Sequence, residues 1–237
     1  MDNVDAVIAA AKQGDVARVS ALLDDSPALA TASTMLGSQP IHAAHFNGHQ
    51  PVVEVLLSRG VSLDTGLAAE LGMLDRVEQA VRADPDLVTA FGPTGSTLLH
   101  RACYWGQVAV SGLLLTNGAD ANAATRDSFL QIRPLGCAVA TADVPNPSDH
   151  EETVLELVCL LLDNGADVNG QRRDGLTALH SAAWRGHLRV MRYLLQRGAN
   201  AGIRGHEGAG PHAGQTAADL ALAQGQREAV LLLASVA

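Results

Sequence analysis

The 237-residue chain carries 25 acidic against 16 basic side chains, a net charge of −9, and is 47% hydrophobic but only 3% aromatic. An acidic chain of this kind is a poor electrostatic match for nucleic acid, and no apolar run approaches the roughly 18–20 residues that span a bilayer. Cys103, Cys137 and Cys159 are odd in number, far apart and set in apolar helical stretches, which reads as reduced thiols rather than a disulfide framework. The N-terminus, Met1-Asp2-Asn3-Val4-Asp5, lacks the basic and apolar runs of a signal peptide, so a soluble, cytoplasmic protein is expected.

Taken in chain order, the sequence repeats itself. A small-residue helix running to Gly14 opens the chain, and Asp15, Arg18 and Asp24 give this first unit a polar outer face. Gln39-Pro40-Ile41-His42 then starts a helix that stops at Gly48, and Val52, Val53, Leu56 and Leu57 form one apolar stripe before Gly60. Gly72 follows Gly48 by only 24 residues, so the third unit is short and its leading loop is missing. The fourth is complete: Thr97-Leu98-Leu99-His100, Gly106, the stripe Val110, Leu114 and Leu115, and the exit Gly118-Ala119-Asp120-Ala121-Asn122.

In the fifth unit Thr153 stands in the glycine's place, and residues 142–152 read as a polar, proline-punctuated insertion loop. The sixth is again complete, with Thr177-Ala178-Leu179-His180, Gly186, and the stripe Val190, Met191, Leu194 and Leu195. A stretched loop, Gly205 to Pro211, introduces the seventh, which ends in the apolar run Val230 to Val236.

Gly14 to Gly48 and Gly72 to Gly106 are each 34 residues, close to the period of about 33 of one known helical repeat. The Thr-x-Leu-His openings at 97 and 177, with the related opening at 39, resemble the Thr-Pro-Leu-His signature of the ankyrin-repeat family. The Gly-Ala-Asp-x-Asn exits at 118 and 165 resemble it as well. The resemblance implies an all-α ankyrin-repeat solenoid, helix-turn-helix units joined by finger loops. About seven units form one domain over 1–237: 1–33, 34–64, 65–91, 92–126, 127–170, 171–203 and 204–237.

Such arrays present a concave face made of finger tips and first helices, and the two residues before each helix-ending glycine lie on it. Here those pairs include Phe46-Asn47, Glu70-Leu71, Tyr104-Trp105 and Trp184-Arg185. Four of the chain's seven aromatic side chains fall in these slots, both tryptophans among them. Phe129 and Leu130 map to one finger tip, and Met35 and Leu36 to another. Rings that are scarce in the core and concentrated where the fold exposes them point to a binding surface. The candidate partner-binding residues are Phe46, Tyr104, Trp105, Phe129, Leu130, Arg173, Trp184 and Arg185.

Residues 171–204 add a local basic excess, seven arginines against Asp174. Of these, Arg189, Arg192 and Arg197 fall on an outer helix face, whereas Arg172, Arg173 and Arg185 face the concave side. His42, His45 and His49 invite a metal reading, but His42 occupies the signature slot, whose imidazole serves structure, and zinc-ligand spacing is absent. His100 and Cys103 are one turn apart, as a thiolate–imidazole pair would be, yet both positions have structural duties in the repeat. No catalytic residue, cofactor or metal is assigned.

The expected function is non-enzymatic protein binding through the aromatic concave face, without nucleic acid or membrane. The alternative is a small-molecule binder or unusual enzyme with a pocket at units four and five, where Phe129-Leu130-Gln131-Ile132 faces Tyr104-Trp105 under the insertion. Weak self-association through the apolar C-terminal helix is a further expectation.

Overall fold

The computed structural model describes residues 3–33, 39–126, 130–140, 147–207 and 210–235, and of residues 147–150 the backbone only. Every regular element among the described residues is a helix, as the helical-repeat solenoid class requires. By contact the chain divides into two compact units, residues 1–67 and 68–237.

The first unit holds α1 (Asn3–Gln13), α2 (Val16–Asp25), α3 (Pro40–Phe46) and α4 (Gln50–Ser58). First helices pack on each other, α1 against α3, and second helices likewise, α2 against α4. Helix α5 (Thr65–Glu70) crosses the boundary between the units. It follows α4 after residues 59–64 alone, so the third repeat has no room for a finger.

The second unit continues with α6 (Leu74–Ala83), α7 (Leu98–Tyr104), α8 (Val108–Thr116), α9 (Pro134–Val139), α10 (Pro147–Asp163), α11 (Ala178–Arg185), α12 (Leu188–Gln196), α13 (Ala217–Ala223) and α14 (Arg227–Ala234). The same two layers recur: α7, α9, α11 and α13 stack in one, and α6, α8, α10, α12 and α14 in the other. The largest fully buried side chains, from Leu23 and Ile41 to Met191 and Leu220, are all aliphatic. Among the described residues no Phe, Tyr or Trp is buried.

One expectation needs correction. Thr153 is not a helix end. It lies inside α10, which begins at Pro147, so the second half of the expected insertion loop is helix rather than loop. Proline suits a first helical turn because its missing N–H has no intrahelical partner there. Glu151 and Glu152 on this extension reach α12: Arg189 N–H donates to Glu151 Oε1 at 2.8 Å, and the Arg189 guanidinium pairs with Glu152. The first half, residues 142–146, lies outside the described residues, as do Met35, Leu36 and Phe129.

The signature residues tie repeat to repeat. Thr97 N–H donates to His100 Nδ1 at 3.2 Å, and its hydroxyl lies 2.8 Å from the same atom, closing a capping box at the start of α7. With Nδ1 accepting, Nε2 carries the proton and donates to the carbonyls of Ala123 (2.9 Å) and Ile132 (3.1 Å) on the next finger. Thr177 and His180 repeat the box, and His180 Nε2 faces the Gln215 and Ile203 carbonyls at looser geometry than in His100. In the seventh repeat Asp219 takes the histidine's place, accepting from Thr216 N–H at 2.8 Å and its hydroxyl at 2.7 Å.

The asparagines of the exit turns form a second set of ties. Asn122 donates to the Gly165 carbonyl and accepts from Asp167 N–H, and Asn169 does the same with Gly198 and Asn200, at 2.7–3.1 Å. A third set joins finger tips. Arg126 N–H donates to the Gly95 carbonyl, Arg173 N–H to Leu130 and His206 N–H to Asp174, each at 2.8 Å.

These ties set two expected outcomes. Gly118 and Gly175 share left-handed backbone, φ 91° and 84°, but a Cβ at Gly118 meets open space whereas one at Gly175 would lie 2.5 Å from His206 N. Gly118→Ala is therefore expected to cost about 1 kcal/mol for conformation alone, and Gly175→Ala about 3 kcal/mol as the finger tie is also pushed apart. Equal urea-denaturation losses would contradict this account.

The second outcome concerns pH. Burial holds His180 below an imidazole's ordinary 6.5, against the Gln215 and Ile203 carbonyls that favour the proton. The unfolded chain then takes up a proton first, so stability is full above pH 6.5 and falls as pH drops through it. His45 is lowered for the same main reason, burial. His180→Gln should therefore be less stable than wild type at pH 7.5 yet lose less between 7.5 and about 5.5, read from paired urea midpoints.

Candidate functional site

The slots before the helix-ending glycines are exposed in most repeats because the helix turns away there. Tyr104, the last residue of α7, is 42% exposed, and Trp184 on α11 is 38% exposed. Trp105 is half-buried and meets the Tyr104 ring edge-on, centroids 5.4 Å apart. Phe46 ends α3, half-buried, with its ring edge-on to His45 at 5.6 Å; it belongs to the first compact unit, the other rings to the second. The third repeat breaks the pattern. Leu71 is buried, and Glu70 accepts from Arg101 Nε at 2.7 Å while its carbonyl takes Gln107 Nε2 at 2.8 Å.

The finger tips bring Leu130 and Arg173 together. Leu130 is 37% exposed, and the Arg173 N–H donates to its carbonyl at 2.8 Å. Gln131 beside it has φ 51°, an uncommon conformation for a residue with a Cβ, which turns the tip. Phe129 lies outside the described residues, so the pocket expected between it, Tyr104 and the insertion lies there as well.

A different concavity is present, built from the fifth, sixth and seventh repeats. It measures about 220 Å³ and is lined by Ala140, Arg172, Leu176, His180, Ser181, Trp184, Arg185, His212 and Leu220. The Trp184 ring sits edge-on to His212, centroids 4.8 Å apart, and Arg185 Nη2 donates to the Ala140 carbonyl at 3.4 Å. Sequence reasoning misses His212. Its only signal there is the stretched seventh finger, whose recognisable span ends at Pro211, one residue short.

The basic excess is smaller in space than in sequence. Arg172 is bound by Asp174, Nε to Oδ1 at 3.1 Å and Nη2 to Oδ2 at 2.6 Å. Burial raises the Asp174 pKa, but Arg172 and the Leu176 N–H outweigh it and hold the carboxylate below its ordinary range. Arg189 pairs with Glu152 and Arg197 with Asp163, so acids of α10 offset one arginine in α12 and the one that caps it.

The His100–Cys103 pair is not a nucleophilic dyad. Burial pushes the Cys103 thiol up to about 12, its Sγ lies 3.6 Å from Ser111 Oγ, and both nitrogens of His100 are engaged in the ties above. His49 Nε2 donates to the Lys12 carbonyl at 3.0 Å, and among the described residues no three His, Cys, Asp or Glu side chains are grouped to hold a metal ion. Among the described residues, no helix is long and apolar enough to cross a membrane. Leu231 on α14, the C-terminal helix where self-contact is expected, is 70% exposed, and Leu222 on the preceding α13 is 69% exposed.

A family model for ankyrin repeats in three copies matches residues 149–237, and a single ankyrin-repeat model matches 94–126, together just over half of the chain. The chain belongs to the ankyrin-repeat family. Similar curated proteins include a probable E3 ubiquitin-protein ligase, XBOS33 of Oryza sativa subsp. japonica, 28% identical over 82% of this chain and 38% of its own length. E3 ubiquitin-protein ligase XBAT33 of Arabidopsis thaliana is 27% identical over 82% of this chain and 36% of its own. A transient receptor potential cation channel subfamily A member 1 homolog of Caenorhabditis elegans is 29% identical over 71% and 14% respectively. The ankyrin chain thus spans well under half the length of these relatives.

Thiol accessibility checks the dyad's dismissal. Cys103 and Cys137 are buried and Cys159 half-exposed, so iodoacetamide under native conditions is expected to label Cys159 first, read by peptide mass spectrometry. Prior labelling of Cys103 would restore a reactive thiol.

Proposed function

We propose that this ankyrin-repeat chain is a non-catalytic module that binds a protein partner through its finger tips and first-helix ends, with Tyr104, Trp105, Leu130, Arg173, Trp184 and Arg185 on that face and Phe46 at the equivalent slot of the first unit. The observation that carries the reading is the placement of the rings. The core is aliphatic, no described aromatic side chain is buried, and Tyr104 and Trp184 are 42% and 38% exposed at equivalent repeat slots. Large rings left in water on a rigid frame lose little entropy on docking and bury much area.

The relatives support an interaction role. One repeat segment occurs in proteins named as ubiquitin ligases and in one named as a channel, and in each it occupies a minor share of the chain. A segment common to such different activities supplies contact rather than chemistry.

Affinity capture from lysate of the source cells tests the proposal. A Tyr104→Ala/Trp105→Ala/Trp184→Ala variant, shown to fold by circular dichroism and a cooperative melt, is expected to lose at least one protein that wild type enriches, by about tenfold or more. Identical capture profiles would remove the aromatic face from the binding surface.

A further inference from the structure

The seventh repeat presents an apolar face, and comparison with the first repeat shows which way that face looks. Counted from the helix-ending Gly14 and Gly225, Leu222 holds the slot of Ala11, Val230 that of Val19 and Ala234 that of Leu23. Ala11, Val19 and Leu23 are fully buried in a repeat that packs on the one after it, α1 against α3 and α2 against α4. In the seventh repeat, which packs on the one before it through α11 and α12, Leu222 is 69% exposed, Val230 half-buried and Ala234 exposed. The reverse holds for Ala229 and Leu233, buried here, whose equivalents Arg18 and Leu22 are exposed and half-buried. Leu222, Val230 and Ala234 therefore look forward along the array, and the exposed Leu231 beside Val230 widens the patch. Contiguous apolar surface of this kind marks a contact.

Two properties of the face restrict what covers it. In the second compact unit the forward slot otherwise holds Ala69, Cys103, Val139 or Ala183, each fully buried. A leucine there would overpack a further repeat stacked in the same register, so the face is not shaped to continue the array. Its charges also cancel. Arg204 Nη1 lies 4.0 Å from Asp219 Oδ2, and Arg227 and Glu228 are neighbours at the start of α14. A twofold contact sets a patch against its own copy and doubles any net charge on it. In a chain of net charge −9, this neutral face escapes that repulsion, and it offers a charged partner no preference. The array is also built like on like, α13 on α11 and α14 on α12, a pattern that a second copy continues in both layers.

We propose that α13 and α14 of two copies of this chain pack across a twofold axis, with Leu222, Val230, Leu231 and Ala234 of each copy covered by the other. The pairing does not depend on the protein-binding reading above. It displays the face of Tyr104, Trp105 and Trp184 twice, so that a partner carrying two matching segments is held with avidity.

Sedimentation equilibrium of the full chain tests the pairing, over concentrations from about 10 μM to about 1 mM, where weak contacts become populated. The mass is expected to rise from monomer toward dimer and to stop there, with little change in about 0.5 M sodium chloride, because the contact is apolar and neutral. Leu222→Glu/Leu231→Glu should weaken association about tenfold or more, through lost apolar burial and like charges brought together. Leu74→Glu, at a leucine of α6 that is 38% exposed, should leave it unchanged. Circular dichroism and a cooperative melt check that the variants fold. Leu222→Ala/Leu231→Ala, which favours helix, is expected to act in the same direction and stands in for the glutamate pair if that pair unfolds. A monomer at every concentration, association that salt removes, or a dimer indifferent to the Leu222/Leu231 changes overturns the proposal. So does an equal loss with Leu74→Glu. Growth beyond the dimer overturns the twofold axis in favour of head-to-tail stacking, and a monomer that loses a captured protein with the Leu222/Leu231 changes assigns the face to a different partner.

Discussion

The histidine that closes the capping box of one repeat and then crosses to the next finger is the contact on which the remaining architecture depends. His100 satisfies the otherwise unpaired N–H of Thr97 and two carbonyls, of Ala123 and Ile132, all in places water reaches poorly. Its two nitrogens must take opposite roles for this to work, so a neutral imidazole in one tautomer does what a carboxylate, which only accepts, cannot do. Where Asp219 stands instead, the box is retained but a carboxylate has no proton to extend to a neighbouring carbonyl. Finger position follows from that imidazole, and the finger tips then carry Leu130 and Arg173 into contact through a backbone hydrogen bond.

Thin layers explain the aromatic distribution. Small residues such as Ala11, Ala69, Cys103 and Ala183, three positions before their glycines, are almost entirely buried, and aliphatic side chains of modest reach fill what remains. A ring would overpack such a layer. Tyr104, Trp105 and Trp184 occupy the next turn, where the helix ends and space opens, and there they meet each other or His212 edge-on rather than the core. The face thus gains its rings for the same reason the core lacks them.

Much of this is legible in the sequence because the repeat is written in residues with narrow physical jobs. The helix-ending glycines, the Thr-x-Leu-His openings and the Asp-x-Asn exits each answer one backbone demand, and together they locate the helices of the regular repeats. Features decided by residues far apart in sequence are not legible. Glu151, Glu152 and Asp163 engage arginines more than thirty positions later, which a count along residues 171–204 cannot register. The length of α10 is hidden because Pro145 and Pro147 read as loop punctuation, although proline is equally at home in a first helical turn. His212 is hidden because its role is set by the seventh finger folding back to Trp184.

Every tie described here, imidazole, asparagine or finger-tip amide, joins a repeat only to its immediate neighbour. A lesion in one tie therefore has no distant counterpart to disturb, and damage should spread as fraying from the nearest interface rather than as collapse of a shared centre. The extended α10 illustrates the evolutionary side of the same locality. Its added turns are anchored through Glu151 and Glu152 to the adjacent α12, so the array can lengthen one element, and vary the surface it offers, without renegotiating the rest.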